Sequence, residues 1–125
     1  IYNWDGAPHG YGAPPQSMED FLRACYAPLE GTHVSALFFS TGGHTSEYPS
    51  EVLPLRGEKG GRVYDSVGGL IHSENIQQRI ADGEDWQREL ITRGHALGID
   101  VFASFRMNDN REYLGMCMYW VGAFQ

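Results

Sequence analysis

The residues best suited to chemistry in this chain lie at or just after the ends of three short apolar segments that read as strands. They include aromatic, carboxylate, amide, guanidinium and imidazole groups. The first segment leads to Asn3, Trp4, Asp5 and His9, the second to Ser40, Thr41, His44 and Glu47, and the third to Arg106, Asn108 and Asp109. Ligands of parallel α/β sheets bind beyond the carboxyl ends of the strands, so we expect these three groups to share one cleft.

This mixture of side chains is typical of a cleft that binds carbohydrate. Aromatic faces stack on the C–H faces of a sugar ring, and carboxylate, amide and guanidinium groups hydrogen-bond its hydroxyls. Tyr11 and Tyr48 add further aromatic rings near the first two groups. We therefore predict a carbohydrate partner, with these substrate-binding residues: Asn3, Trp4, Asp5, His44, Arg106 and Asn108.

Several of these residues also have a purely structural interpretation. Asp5 precedes Gly6 and could form only a turn, and Arg106 could pair with Asp109 to close the rim of the sheet. The run Asn108–Asn110 could be an Asx-rich turn or a helix cap. These alternatives stay open at the level of the sequence.

Metal and cofactor sites receive little support. His9 and His44 could coordinate a metal with Asp5, but the histidines lack the spacing of a ligand motif. The three glycine pairs lack the context of a dinucleotide fingerprint or a phosphate loop, and the GxSxG elbow of serine hydrolases is absent. We predict no metal and no cofactor.

The elements that must position these residues alternate between strand and helix. Strands are predicted at 1–6, 33–40 and 99–105, and the first helix from the N-cap Ser17 to about Leu29. A long polar loop runs from Thr41 to about Arg62, and two further helices follow from Asn75, the second at about 84–97 with Gly98 after it. The nearly continuous apolar run of the second strand indicates burial on both faces, as in a parallel sheet covered by helices.

This alternation favours a parallel sheet built from βαβ units. Three buried strands by themselves would expose long apolar edges. A complete (β/α)8 barrel takes about 250 residues, twice the 125 present here. We therefore predict an α/β fold that is the N-terminal part of a TIM barrel, about three βα units, with residues 1–125 forming one partial domain incomplete at both ends.

Composition excludes some partners and leaves the cysteines undecided. The formal net charge is −7 and Lys59 is the single lysine, so the basic cluster that a nucleic acid requires is missing. No apolar run approaches the roughly 18 residues of a membrane helix. Cys25 and Cys117 form no CxxC motif; buried free thiols are the simpler interpretation and a disulfide the alternative.

The segment from His95 to Asp109 resembles a stretch in uncharacterised bacterial glycoside-hydrolase-like (β/α)8 barrel proteins. The specific part is the run A-S-F-R-M-N-D, which ends at Asp109. The opening Asn3-x-Asp5 and the Gly31-Thr32-x-Val34 sequence before the second strand look similar to the first two units of those proteins. The resemblance implies a TIM barrel and action on carbohydrate.

The resemblance also implies roles for individual residues. Arg106, Asn108 and Asp109 would line the cleft at the end of the third strand, with Asp5 beside them. In many retaining barrel glycosidases the catalytic pair lies on later strands, which would place it outside this sequence. Asp109 is the candidate should a catalytic carboxylate be present here. The long loop from Thr41 to Leu70 matches no known motif.

These observations predict a fragment of a glycoside hydrolase that supplies sugar-binding residues and is inactive on its own. Such enzymes use two carboxyl groups, about 5–5.5 Å apart for retention or about 6.5–9.5 Å for inversion. Two alternatives remain open. One is a non-catalytic carbohydrate-binding barrel, and the other is a metal-dependent barrel hydrolase that uses His9, His44 and Asp109.

Overall fold

The computed structural model describes residues 1–4, 8–10, 12–41, 45–58 and 66–104. These form three strands, three α-helices and two short 3-10 turns. In chain order they are β1 (Tyr2–Trp4), a 3-10 turn (Pro8–Gly10), α1 (Met18–Tyr26), a second 3-10 turn (Ala27–Leu29), β2 (Ala36–Ser40), α2 (Val67–Ala81), α3 (Trp86–Ala96) and β3 (Asp100–Ser104).

The three strands form one parallel sheet in the order β1-β2-β3. Trp4 is paired with Phe39, and Phe39 with Ala103, so the strands are in register at their carboxyl ends. Both connections pass through helices, as parallel pairing requires a long crossover.

The predicted TIM barrel is wrong. The described sheet is open, because β1 and β3 are its two edges and no pairing joins them among the described residues. A barrel requires a sheet that closes on itself, usually with eight strands. The α/β class and the alternation of strand and helix are present, but that alternation is common to parallel α/β folds and does not select the barrel.

The start of α1 agrees with the sequence prediction. The Ser17 hydroxyl accepts a hydrogen bond from the Asp20 N–H at 3.1 Å, which satisfies a donor of the first turn. The helix buries Phe21, Leu22 and Cys25. Its predicted last turn is instead the 3-10 turn that contains Pro28.

Helix α2 begins eight residues earlier than the predicted start at Asn75. Its N-cap is Ser66, whose hydroxyl accepts from the Gly69 N–H at 3.1 Å. The first turn of α2 contains two glycines, and glycine disfavours helix by about 1 kcal/mol relative to alanine. The sequence therefore does not predict this turn as helical. The predicted break between α2 and α3 is confirmed at Gly83, which has a φ of 73°.

The core lies on one face of the sheet. Leu37 and Phe39 of β2 are buried there against Phe21 of α1 and Leu90 of α3. The Tyr26 hydroxyl donates to the Leu90 carbonyl at 2.6 Å and so joins these two helices.

The opposite face of the sheet is less covered. Phe38 and Phe102 stack there at 4.9 Å between ring centroids, and Phe102 is 46% exposed. Burial of β2 on both faces was expected, but its residues alternate between buried and half-buried. In the part of the chain that is described, no helix has the length and apolar character needed to cross a membrane.

Candidate functional site at the carboxyl edge of the sheet

The carboxyl ends of the three strands lie side by side. Ser40 at the end of β2 is paired with Ser104 at the end of β3. The next residue, Thr41, donates its backbone N–H to the Ser104 carbonyl at 3.0 Å. The chain therefore leaves all three strands along one edge, and the residues that follow start from neighbouring points.

Two of the predicted substrate-binding residues lie in β1, on opposite faces of the sheet. Asn3 is exposed. Trp4 is buried, and its indole contacts the rings of Tyr2 and Phe39 edge-on at 6.3 and 6.2 Å. The Trp4 ring is thus a core element, whereas Asn3 is open to a ligand.

The other predicted site residues lie outside the described residues. These are Asp5, His44, Arg106, Asn108 and the candidate catalytic Asp109. Their roles stay predictions. The structure describes the strand ends that precede them in the sequence. His95, for which the sequence allows either a surface or a packing role, is exposed near the end of α3.

A group of buried polar side chains lies where the segments after β1 and β2 meet α2. We call it the buried polar cluster, and its members come from three parts of the chain: His9, Gln16, Glu47, His72, Asn75 and Arg79. Trp86 connects it to the sheet, because its ring contacts both His9 and Phe39 at 4.9 and 5.4 Å. The Trp86 indole N–H also donates to the Glu47 carbonyl at 2.8 Å.

Glu47 is the carboxylate of this cluster. Its Oε1 atom lies 3.1 Å from Nε2 of His72, in a direction that does not form a hydrogen bond, and 3.8 Å from Nη1 of Arg56. Glu47 is only 8% exposed. A buried carboxylate is tolerated when it is paired with a cationic group, and the Arg56 guanidinium is such a group here.

Of the two histidines in the cluster, His9 has the more apolar surroundings. Its ring stacks on Phe21 at 4.5 Å and 14°, and it is fully buried. Neither ring nitrogen has a hydrogen-bond partner among the described residues. Burial, together with the nearby charges of His72 and Arg79, holds the pKa of His9 well below its ordinary range, because desolvation and like charges both oppose protonation.

Asn75 and Arg79 fasten the segment that follows β1. The Asn75 side-chain amide donates to the carbonyls of His9 and Gly12 at 2.6 and 2.8 Å, and its oxygen accepts from the Gln16 N–H at 3.0 Å. Arg79 donates to the Gln16 side chain at 3.0 Å and forms an ion pair with Glu84 at 2.8 Å. The side chains of Asn75 and Arg79 are both almost completely buried.

The sequence analysis missed this face of α2. It depended on the apolar residues Ile76 and Ile80, whereas the buried stripe also contains His72, Asn75 and Arg79. These three residues recur at intervals of three and four, the spacing of one helix face. A search for helical periodicity in polar as well as apolar residues would have found them.

The metal-dependent alternative gains no support from the described residues. Within 1–4, 8–10, 12–41, 45–58 and 66–104, no group of three or more His, Cys, Asp or Glu side chains is arranged to hold a metal ion. His9, the described member of the proposed ligand set, is packed between aromatic rings. His44 and Asp109 lie outside these ranges.

Comparison of the chain with protein-family models, with curated proteins and with solved structures finds no match. The resemblance of the A-S-F-R-M-N-D run to glycoside-hydrolase-like proteins therefore stays a prediction.

Proposed function

We propose that this chain acts on carbohydrate as part of a glycoside hydrolase, with the sugar site at the carboxyl edge of the sheet. The observation that supports this proposal is the shared edge at which β1, β2 and β3 end in register. The predicted sugar-binding residues follow those strand ends in the sequence. A ligand bound there would be reached from three strands at once.

The spacing of the strands sets the distance that a ligand at this edge would have to span. Asp5 follows β1 and Asp109 follows β3, with β2 between them. Neighbouring strands are about 4.8 Å apart, so the ends of β1 and β3 are separated by about 10 Å. A ligand beyond the strand ends would have to span about this distance to reach the residues that follow both β1 and β3.

Hydrolysis of a panel of p-nitrophenyl glycosides and release of reducing sugar from polysaccharides by the full-length protein test the proposal, because this part is expected to be inactive on its own. Asp109→Asn is expected to lower kcat by about 10²–10⁴-fold, the usual contribution of a general acid or base. Asp100→Asn is the matched control, because Asp100 is an exposed carboxylate at the other end of β3. Wild-type rates in Asp109→Asn would refute the role of Asp109.

A non-catalytic carbohydrate-binding protein is the second candidate, and one observation favours it. Glu47, the carboxylate described beyond β2, is buried between His72 and Arg56, which leaves it poorly placed to protonate a leaving group. This candidate predicts glycan binding by isothermal titration calorimetry without any hydrolysis. If the full-length wild-type protein shows neither hydrolysis nor glycan binding, both candidates are wrong.

A further inference from the structure

One segment of the chain is held in place by contacts that converge on a buried histidine. We call it the β1–α1 strap, and it consists of residues 8–10 and 12–16. It leaves the carboxyl end of β1 and ends at the N-cap of α1. The strap therefore borders the edge at which the strands finish.

Two kinds of contact hold the strap. Polar contacts come from Asn75, which binds the His9 and Gly12 carbonyls and the Gln16 N–H, and from Arg79, which donates to the Gln16 side chain. The other contact is the His9 ring itself, which stacks on Phe21 and meets Trp86 edge-on at 4.9 Å. The ring packs as a neutral aromatic group, since both of its nitrogens lack a partner among the described residues.

The charged groups around His9 disfavour a second positive charge. From α2 it is faced by His72, with 5.5 Å between the ring centroids, and by Arg79. From the segment after β2 it is faced by Arg56, while Glu47 on the same segment contacts His72 and Arg56.

The remaining helices offer His9 no compensating charge. α1 presents the apolar Phe21. The buried titratable residues of that helix are Cys25 and Tyr26, and burial raises the pKa of the thiol and of the phenol so that both stay neutral. α3 presents Trp86. Glu84, which precedes α3, is already paired with Arg79.

We infer that the β1–α1 strap is an acid-released latch: protonation of His9 ejects the imidazole from its aromatic site and frees the strap from α2. Release exposes the carboxyl end of β1 while α1, α2 and α3 keep their own packing. The latch goes beyond the proposed action on carbohydrate and does not depend on it.

The sign and size of the effect follow from linkage. The pKa of His9 in the closed strap is lowered well below about 6.5, its value in an open, solvated strap. The closed form is therefore most stable above pH 6.5, and it loses stability as the pH falls below that value. The ratio of open to closed strap increases up to about tenfold per pH unit, or about 30-fold between pH 7.5 and pH 5.0.

Hydrogen exchange measured by NMR tests the latch on the whole chain. The reporter is the Gln16 amide, which is bonded to Asn75, with its rate corrected for the intrinsic pH dependence. We expect its opening constant to increase about 30-fold between pH 7.5 and 5.0 in the wild type and less than threefold in His9→Phe. His95→Phe is the control, because His95 is exposed on α3, and it should behave as wild type.

Two results would overturn the latch. The first is an opening constant that responds to pH equally in His9→Phe and in wild type. The second is a loss of far-UV circular dichroism over the same pH range, since that would show unfolding of the whole chain. If His9→Phe does not fold, the ¹³Cε1 shift of His9 in the wild type decides: the latch requires His9 to become protonated in step with the opening at Gln16.

Discussion

At the scale of single residues, one side chain of α2 links the buried polar cluster to the β1–α1 strap at three points. Asn75 makes three hydrogen bonds to the strap with an amide that has only two donors and one oxygen. Its bonds to the His9 carbonyl and the Gln16 N–H are buried, and its bond to the Gly12 carbonyl is partly buried. Buried backbone groups are costly to leave unsatisfied, at about 1–3 kcal/mol each.

Asn75→Ala is therefore expected to lower the free energy of unfolding by about 2–3 kcal/mol. Gln78→Ala is the matched control on the same helix, because Gln78 is exposed and bonds only to Asp82 among the described contacts. Urea unfolding followed by circular dichroism measures both. Equal losses in the two variants would show that the strap contributes little to stability.

Residue-scale signals explain which parts of the sequence analysis succeeded. Ser17 and Gly98 mark the ends of helices through local chemistry, a hydroxyl cap and a φ of 72°, and both were identified. His72 and Arg79 are buried only because α2 packs against the strap. The spacing of His72, Asn75 and Arg79 marks one helix face, but no local pattern in the sequence shows what that face packs against, so the contacts of the cluster could not be predicted.

At the scale of elements, α3 approaches β3 at a glycine. A Cβ atom on Gly94 would lie 2.7 Å from the Tyr26 hydroxyl and 3.3 Å from the Ile99 carbonyl, and it would overlap the Val101 side chain. The absence of a side chain at this position thus lets α1, α3 and β3 pack together.

Gly94→Ala is expected to destabilise the protein by about 1–3 kcal/mol through overpacking, even though alanine favours helix by about 1 kcal/mol. Gly68 in α2 provides the control, because a Cβ there would meet nothing within 4 Å. Gly68→Ala should raise Tm, and Gly94→Ala should lower it, in differential scanning calorimetry. A raised Tm in both variants would mean that the close approach at Gly94 is relieved without cost.

The elements also show why the strands were easier to predict than the fold. All three strands were found from short apolar runs, with β2 beginning at Ala36 rather than His33. What joins them was not determined by those runs: the same strand–helix alternation produces an open sheet or a barrel. The prediction of a barrel depended on the length of the chain and on the exposure of apolar strand edges. The structure instead has an open sheet of three strands among the described residues.

At the scale of the whole molecule, the two faces of the sheet differ in burial. Phe39 is 2% exposed on the face covered by α1 and α3, whereas Phe102 is 46% exposed on the other. Truncating a side chain on the covered face should therefore lower the free energy of unfolding strongly, and truncating one on the more exposed face should lower it only weakly.

Phe39→Ala is expected to cost about 3–5 kcal/mol, the usual loss for a buried phenylalanine. Phe102→Ala should cost less than half as much, because the exposed part of its ring gains little from burial. Chemical unfolding of the two variants under one set of conditions gives the comparison. Losses of equal size would show that the face around Phe102 is covered as well as the other.

The order of the strands has a consequence for how the chain assembles during synthesis. The spatial order β1-β2-β3 is also the order of translation, so each strand pairs with the one made just before it and the sheet can grow as the chain emerges. The contacts of Asn75 with the strap instead join residues 59 to 66 positions apart. Closing so long a loop is entropically costly, and the pairing of β2 with β3, whose partners are 64 positions apart, closes a loop of similar length. The strap is fastened only after α2 has been made and has docked.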